Sequence, residues 1–304
     1  MRLKGKAAEH NNFIKVIEWL VLIALFSIIL MTAWAIIWKD NPLATSSLKW
    51  LQFFQSIGVF LLPALAAAYL WSDNPIEYLN LNRAPKSDSV LFAITIIIIA
   101  LPAVNLLGYL NQQIVLPDFL HDLELTLKQK EEDAAVLTEK FLQTNTIGDL
   151  TINLILMALL PAICEESCFR GILLRLLCND KTGKGEITRS QHIAIWVTAI
   201  IFSFVHFQFY GFIPRMLLGA LLGYLLIWTG NLWVPIIAHF TNNAVAVIVY
   251  YIAYNYNMIN TETADTFGSG DTLWLGITSI LATIVLIVIY IKKNQKKLVN
   301  DEKD

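Results

Sequence analysis

The chain has 304 residues, of which 56% are hydrophobic and 15% charged, and its mean hydropathy is +0.58. That is far more apolar than a soluble globular chain and points to a protein that crosses a membrane many times. A formal net charge of -2, with no basic stripe, finger or glycine-rich phosphate loop, argues against nucleic acid or nucleotide as a partner.

Residues 1–15 are polar and basic, with Arg2, Lys4, Lys6 and Lys15. An uncharged run follows at 19–38, with a tryptophan at each edge. About 20 apolar residues cross the hydrocarbon core, so this run is long enough to span. It is long for the apolar part of a signal peptide, and no small-residue cleavage site follows it, so a retained helix is expected. A second span is expected at 50–71, again bracketed by tryptophans at headgroup depth, and a third at 90–110. The polar stretch between them, 72–89, reads as a connector. Residues 117–150 differ: Asp and Glu dominate, while Phe119, Leu123, Leu127, Val136 and Phe141 recur at roughly helical spacing. This insertion is expected to be an amphipathic extramembrane helix, packed on the bundle or lying at the interface.

The fourth expected span, 151–177, carries Cys164-Glu165-Glu166-Ser167-Cys168-Phe169-Arg170-Gly171. Two carboxylates and a guanidinium thus enter an otherwise apolar helix. Such groups cost several kcal/mol unless paired or facing a wet cavity, and they are functional candidates by default. Glu166 and Arg170 are i,i+4 neighbours in the favourable order for an ion pair. Glu165 is left without a local counter-charge, which suits a general base. After a polar loop at 179–191, further spans are expected at 192–209, 215–228, 232–251 and 272–291, and a basic tail closes the chain at 292–304.

The expected fold is therefore all-α: one polytopic membrane bundle of about eight transmembrane helices, 1–304, with a catalytic core at 147–252, the extramembrane insertion at 117–150 and the tail at 292–304. The N-terminal arm, the 179–191 loop and the tail are basic, whereas the insertion is acidic and 254–271 has no Lys or Arg. By the positive-inside rule both termini are expected in the cytoplasm, with the protein in the plasma (inner) membrane.

Two later constellations join the di-glutamate. Phe202-x-x-x-His206 lies in the fifth span, and His239-x-x-x-Asn243 places two polar side chains on one face of the seventh. Either alone fits a hydrogen bond that merely glues helices together. Only two of the five histidines fall inside these spans, however, and both follow the buried glutamates. His10, His121 and His192 sit in loops or at a boundary and receive no role. Cys164, Cys168 and Cys178 read as small buried hydrophobes. Gly219 and Gly223 make a small-x-x-x-small face for close packing. Arg215 is either a ligand for a substrate carboxylate or an interfacial arginine that snorkels.

In this order on three apolar helices, Glu165-Glu166-x-x-x-Arg170, Phe202-x-x-x-His206 and His239-x-x-x-Asn243 resemble the CAAX protease and bacteriocin-processing (CPBP, or Abi) family of intramembrane endopeptidases, of the CAAX prenyl protease 2 type. Phe169-Arg170-Gly171 and Gly211-Phe212-x-Pro214-Arg215 extend the likeness, while Cys164 stands where glycine is commoner. The resemblance implies hydrolysis of a peptide bond in a membrane-associated protein or peptide: prenylated CAAX peptides in eukaryotic members, bacteriocin-related or other peptides in bacterial ones. It implies a catalytic set of Glu165, Glu166, His206, His239 and Asn243, with Arg170 completing a structural ion pair. Chemically, Glu165 and His206 suit activation of water, and His239 with Asn243 suits an oxyanion. Zinc on Glu165, His206 and His239 is possible, since members are described both as metalloendopeptidases and as glutamate proteases; no His-Glu-x-x-His pair is present, and the metal-free form is preferred. Rival expectations are a non-catalytic immunity or scaffold protein of the same fold, and a proton-coupled transporter, against which stands the absence of paired interrupted helices in two halves.

Counting ~1.5 Å per residue places Glu165 and His206 at depths differing by about 12 Å across a core of ~30 Å. Either the fifth helix begins nearer Ile195, outside the hydrocarbon, or 207–214 folds back into the membrane. The active cavity is expected to open to the cytoplasm.

Overall fold

The computed structural model describes residues 3–178, 187–256 and 266–301, with side chains as far as Lys293. It is a polytopic helical bundle, and among the described residues seven helices are long and apolar enough to cross a membrane. Parts of the expected 179–191 and 254–271 loops, and the side chains of the basic tail beyond Lys293, lie outside the described residues.

Helix α1 (Asn12–Ile37) begins seven residues before the expected span. Its polar start is satisfied locally: Asn11 caps the helix by accepting from the Ile14 N–H, and Glu18 accepts from Trp71 Nε1 at 2.7 Å. Polar residues that read as an arm are therefore the first turns of the helix. Helices α2 (Thr45–Trp71) and α3 (Ser87–Gln112) follow. The insertion forms α4 (His121–Leu142), a surface helix as expected, with most of its residues exposed. It is held at its start by Glu124, which accepts from the Leu116 N–H at 3.1 Å and pairs with Lys128 at 2.6 Å. Together these hold the Glu124 carboxyl below its ordinary range, with the Lys128 bond the larger cause.

Helix α5 (Ile147–Leu177) contains two wider, π-type turns, Leu154–Leu159 and Ser167–Leu173, with the di-glutamate between them. Helix α6 (Arg189–Phe204) is the departure from expectation. It starts at a capping box, Thr188 with Gln191, and ends five residues before the expected 209. Sixteen residues give about 24 Å, less than the ~30 Å core. Helices α7 (Phe212–Thr229), α8 (Trp233–Tyr256) and α9 (Leu273–Asp301) complete the bundle. Gly219 and Gly223 do pack as expected: a Cβ on Gly219 would stand 3.0 Å from the Phe202 ring, and one on Gly223 3.0 Å from Ile195.

The start of α1 meets the end of α5, where Asn12 Nδ2 donates to the Leu176 carbonyl at 2.9 Å. The start of α3 meets α9, where Lys293 lies 3.6 Å from Asp88. Both ends of the described chain thus share one face of the bundle. The insertion lies on the other, where Asn255 Nδ2 donates to the Thr144 carbonyl at 2.7 Å.

Candidate active site

The three motifs converge. Glu165 and Glu166 sit on α5, His239 on α8, and His206 in the turn just after α6. Glu165 Oε2 stands 3.9 Å from His206 Nε2 and 4.0 Å from His239 Nε2. Those separations exceed a direct hydrogen bond and leave width for a bridging water oxygen. The two imidazoles are 28% and 5% exposed, so access to the carboxylate runs past His206.

Glu166 is used differently. Its Oε1 accepts from Arg170 Nη1 at 2.9 Å and from His239 Nδ1 at 2.9 Å, and both charged side chains are 0% exposed. Arg170 Nη2 donates to the Gly219 carbonyl at 2.8 Å, and the guanidinium lies 4.6 Å over the Phe202 ring. Glu166 Oε2 and Arg170 Nε are buried and have no protein partner among the described residues. The i,i+4 pair read from the sequence is present; its third member, His239, was not foreseen. Nothing in the spacing joins residues 166 and 239, which only the packing of α5 on α8 brings together.

Both imidazoles are oriented through Nδ1. His206 Nδ1 lies 2.7 Å from the Phe202 carbonyl. A carbonyl only accepts, so this nitrogen carries the hydrogen and Nε2 of the neutral ring is left as an acceptor facing Glu165. His239 Nδ1 donates to Glu166 in the same way. Phe202 packs edge-on to Phe169, His206 and His239, with centroids 5.2, 5.0 and 6.0 Å apart, and so separates the charged pair from the cleft. Asn243 lies one turn beyond His239, half-buried, and its Oδ1 accepts from Asn242 Nδ2 at 3.1 Å.

Glu165 and His206 meet because α6, which begins before Ile195, ends early. Phe207 takes φ 54°, a left-handed cap where glycine is usual, and 207–211 form a short turn that leads into α7. For a phenylalanine this conformation costs on the order of 1 kcal/mol. Buried polar side chains outside the motifs hold it. Asn111 of α3 donates from Nδ2 to the Phe209 carbonyl at 3.1 Å and accepts on Oδ1 from the Ile213 N–H at 2.8 Å. Ser203 Oγ donates to the Phe212 carbonyl at 2.7 Å. Asn111 lies one residue from the end of α3, just past the expected span, so the pattern gave no reason to single it out.

A cleft of about 430 Å³ ends on His206, walled on one side by α4. Its mouth is on the insertion face, opposite the chain ends, whereas the sequence placed it on the face of the termini. The expectation rested on His239, about 10 Å from the inner end of its helix, whereas the cleft reaches the carboxylate past His206 from the side of α4.

Zinc does not fit the three donors as arranged. Ligand atoms about 2.0–2.2 Å from a tetrahedral ion lie roughly 3.4 Å apart. The separations here are 3.9 and 4.0 Å, and among the described residues no three His, Cys, Asp or Glu side chains form a metal-holding group. Cys164, Cys168 and Cys178 are buried and form no disulfide.

Comparison with known proteins gives the site its relatives. The family model for type II CAAX prenyl endopeptidases, Rce1-like, matches residues 147–245, which include every motif residue above. An uncharacterized protein of Bacillus subtilis (strain 168), YpbD, is 35% identical over 97 residues, 31% of this chain and 43% of that one. The chain therefore spans less than half the length of this curated relative. No solved structure matches. The resemblance carried by the motifs is thus borne out over 147–245.

Proposed function

Starting from a segment that matches the Rce1-like family, we propose that the chain is an intramembrane endopeptidase that hydrolyses a peptide bond in a membrane-associated protein or peptide. The observation that carries this reading is the Glu165 carboxylate, 3.9 and 4.0 Å from two imidazoles whose far nitrogens are already committed.

In this reading a water donates one hydrogen to Glu165 Oε2 and the other to His206 Nε2, and its oxygen adds to the scissile carbonyl carbon. His239 and Asn243 stabilise the oxyanion, with His239 held in place by its Nδ1–H on Glu166 and Asn243 donating from Nδ2. As the C–N bond breaks, the proton on Glu165 passes to the leaving amine, and the carboxylate is restored. Glu166 and Arg170 touch no reacting atom and act by holding His239. No step is assigned to zinc. A peptide substrate, the bilayer as solvent and a single membrane domain over 1–304 belong to the same proposal, as do cytoplasmic termini.

Comparative peptidomics of membranes carrying the native chain or Glu165→Gln tests the reading. Fragments that vanish with the variant support it; an unchanged fragment set overturns it, and an immunity function surviving the substitution favours the non-catalytic alternative. Dialysis against a strong chelator is expected to leave cleavage intact. Full loss restored by zinc would overturn the metal-free form.

A further inference from the structure

The insertion helix α4 lies outside the 147–245 match, yet it builds one wall of the cleft that ends on His206. From α4 come Lys130, Leu137 and Phe141; from α5, Met157; from the turn after α6, His206 and Gln208. The middle of the wall is apolar, Leu137 is 39% exposed, and Lys130 is the charge beside it. At the back of the turn, Arg215 Nη2 donates to Gln208 Oε1 at 2.6 Å, while Arg215 Nη1 is buried without a protein partner among the described residues. Across from it Glu131 of α4 accepts from the Tyr210 backbone and leaves Oε2 buried and equally unpartnered. Arg215 lies within electrostatic reach of both Glu131 and Glu165, yet forms no ion pair with either among the described residues.

A buried donor and a buried acceptor within electrostatic reach of one another, both left open, are costly unless something bridges them. The groups on a peptide bond are the matching pair: a carbonyl for Arg215 Nη1 and an N–H for Glu131 Oε2. We propose that α4 and Arg215 form a substrate subsite for an extended peptide, in which the main chain bridges Arg215 and Glu131 and one bulky apolar side chain lies on Leu137, Phe141 and Met157. This rests on the endopeptidase reading, because the cleft is continuous with His206. It assigns selectivity to the insertion and chemistry to the three motifs. Arg215 and Leu137 are specificity-determining residues in this scheme.

The test uses the full chain in proteoliposomes with internally quenched peptides that differ at one position, from Ala through Leu to Trp. Leu137→Ala is expected to shift preference towards the larger side chains and Leu137→Trp towards the smaller, each by about tenfold in relative kcat/KM. Arg215→Gln is expected to raise KM about ten- to hundredfold with a smaller change in kcat, as loss of a charge-assisted hydrogen bond does. Elution profile and melting temperature identify a misfolded variant, and Arg215→Lys, which keeps a donor but not the fork, should recover part of the KM. Glu165-dependent cleavage whose peptide ranking is the same in both Leu137 variants overturns this inference alone. No cleavage beyond that of Glu165→Gln overturns the endopeptidase reading and this subsite with it.

Discussion

Two adjacent glutamates on one helix face opposite fates. Glu166 shares one oxygen between Arg170 and His239 and is sealed behind Phe202, whereas Glu165 has no direct side-chain bond among the described residues and lies 3.9 Å from His206, which lines the cleft. One peptide bond separates them, and a helical rotation of about 100° turns one into the bundle and the other to water. The difference teaches that a charge pattern in a membrane helix divides by face: one carboxylate is tied into the packing, and the other is left open for the chemistry proposed for it.

The sharpest way to break that division is to neutralise each acid in turn. In Glu165→Gln, cleavage is expected to fall about a thousandfold or more while thermal unfolding stays within a degree or two of native, because the group forms no bond that holds the fold. In Glu166→Gln the order reverses. Arg170 is left buried beside a neutral amide, and stability is expected to drop by about 3–5 kcal/mol, read as a lowered melting temperature in detergent. A Glu166→Gln protein as stable as the native one would show that the pair is ornamental.

A smaller effect sharpens the comparison from outside the motifs. Asn111→Ala removes two of the bonds that hold the turn after α6, with a cost of about 1–3 kcal/mol for the backbone groups left unpaired. His206 should then lose its position, so kcat is expected to fall about tenfold with KM little changed. Equal effects on both constants would place Asn111 in substrate binding instead.

The smallest expected effect concerns pH and lies wholly on the insertion. The Glu124 carboxyl is held below its ordinary range, chiefly by Lys128, so its contribution is present above the unfolded-state value and is lost as pH falls through the lowered folded value. The protection factors of the Leu116 amide and the first turn of α4 against hydrogen exchange should therefore fall on acidification through the lowered folded value. In Glu124→Gln that acid sensitivity should disappear, and protection factors that do not change on acidification of the native chain would refute the assignment.

Much of this was legible in the sequence, and the reasons are physical. Apolar length marks spans well because the bilayer leaves a helix no alternative, so α2, α3, α8 and α9 lie where the pattern places them. The Glu165, His206 and His239 set was legible because ionisable groups are rare at depth. What hid was tertiary. Lys15 and Glu18 made the start of α1 read as a polar arm, since the Ala8 carbonyl that takes Lys15 and the Trp71 indole that takes Glu18 come together only in the fold. The early end of α6 is invisible in Phe204-Val205-His206-Phe207, which has neither glycine nor proline to announce a left-handed turn. Thr188 and Gln191, by contrast, formed a readable start signal for the same helix.

The shortness of α6 has a consequence for the surrounding lipid. A segment of about 24 Å in a ~30 Å core leaves a deficit of roughly 6 Å, which the bilayer meets by pinching inward beside it. Under the proposed function, headgroups and solvent drawn down towards residue 206 would bring the hydrolytic water through a local thinning of the membrane, and turnover is expected to rise in thin bilayers and fall in thick ones.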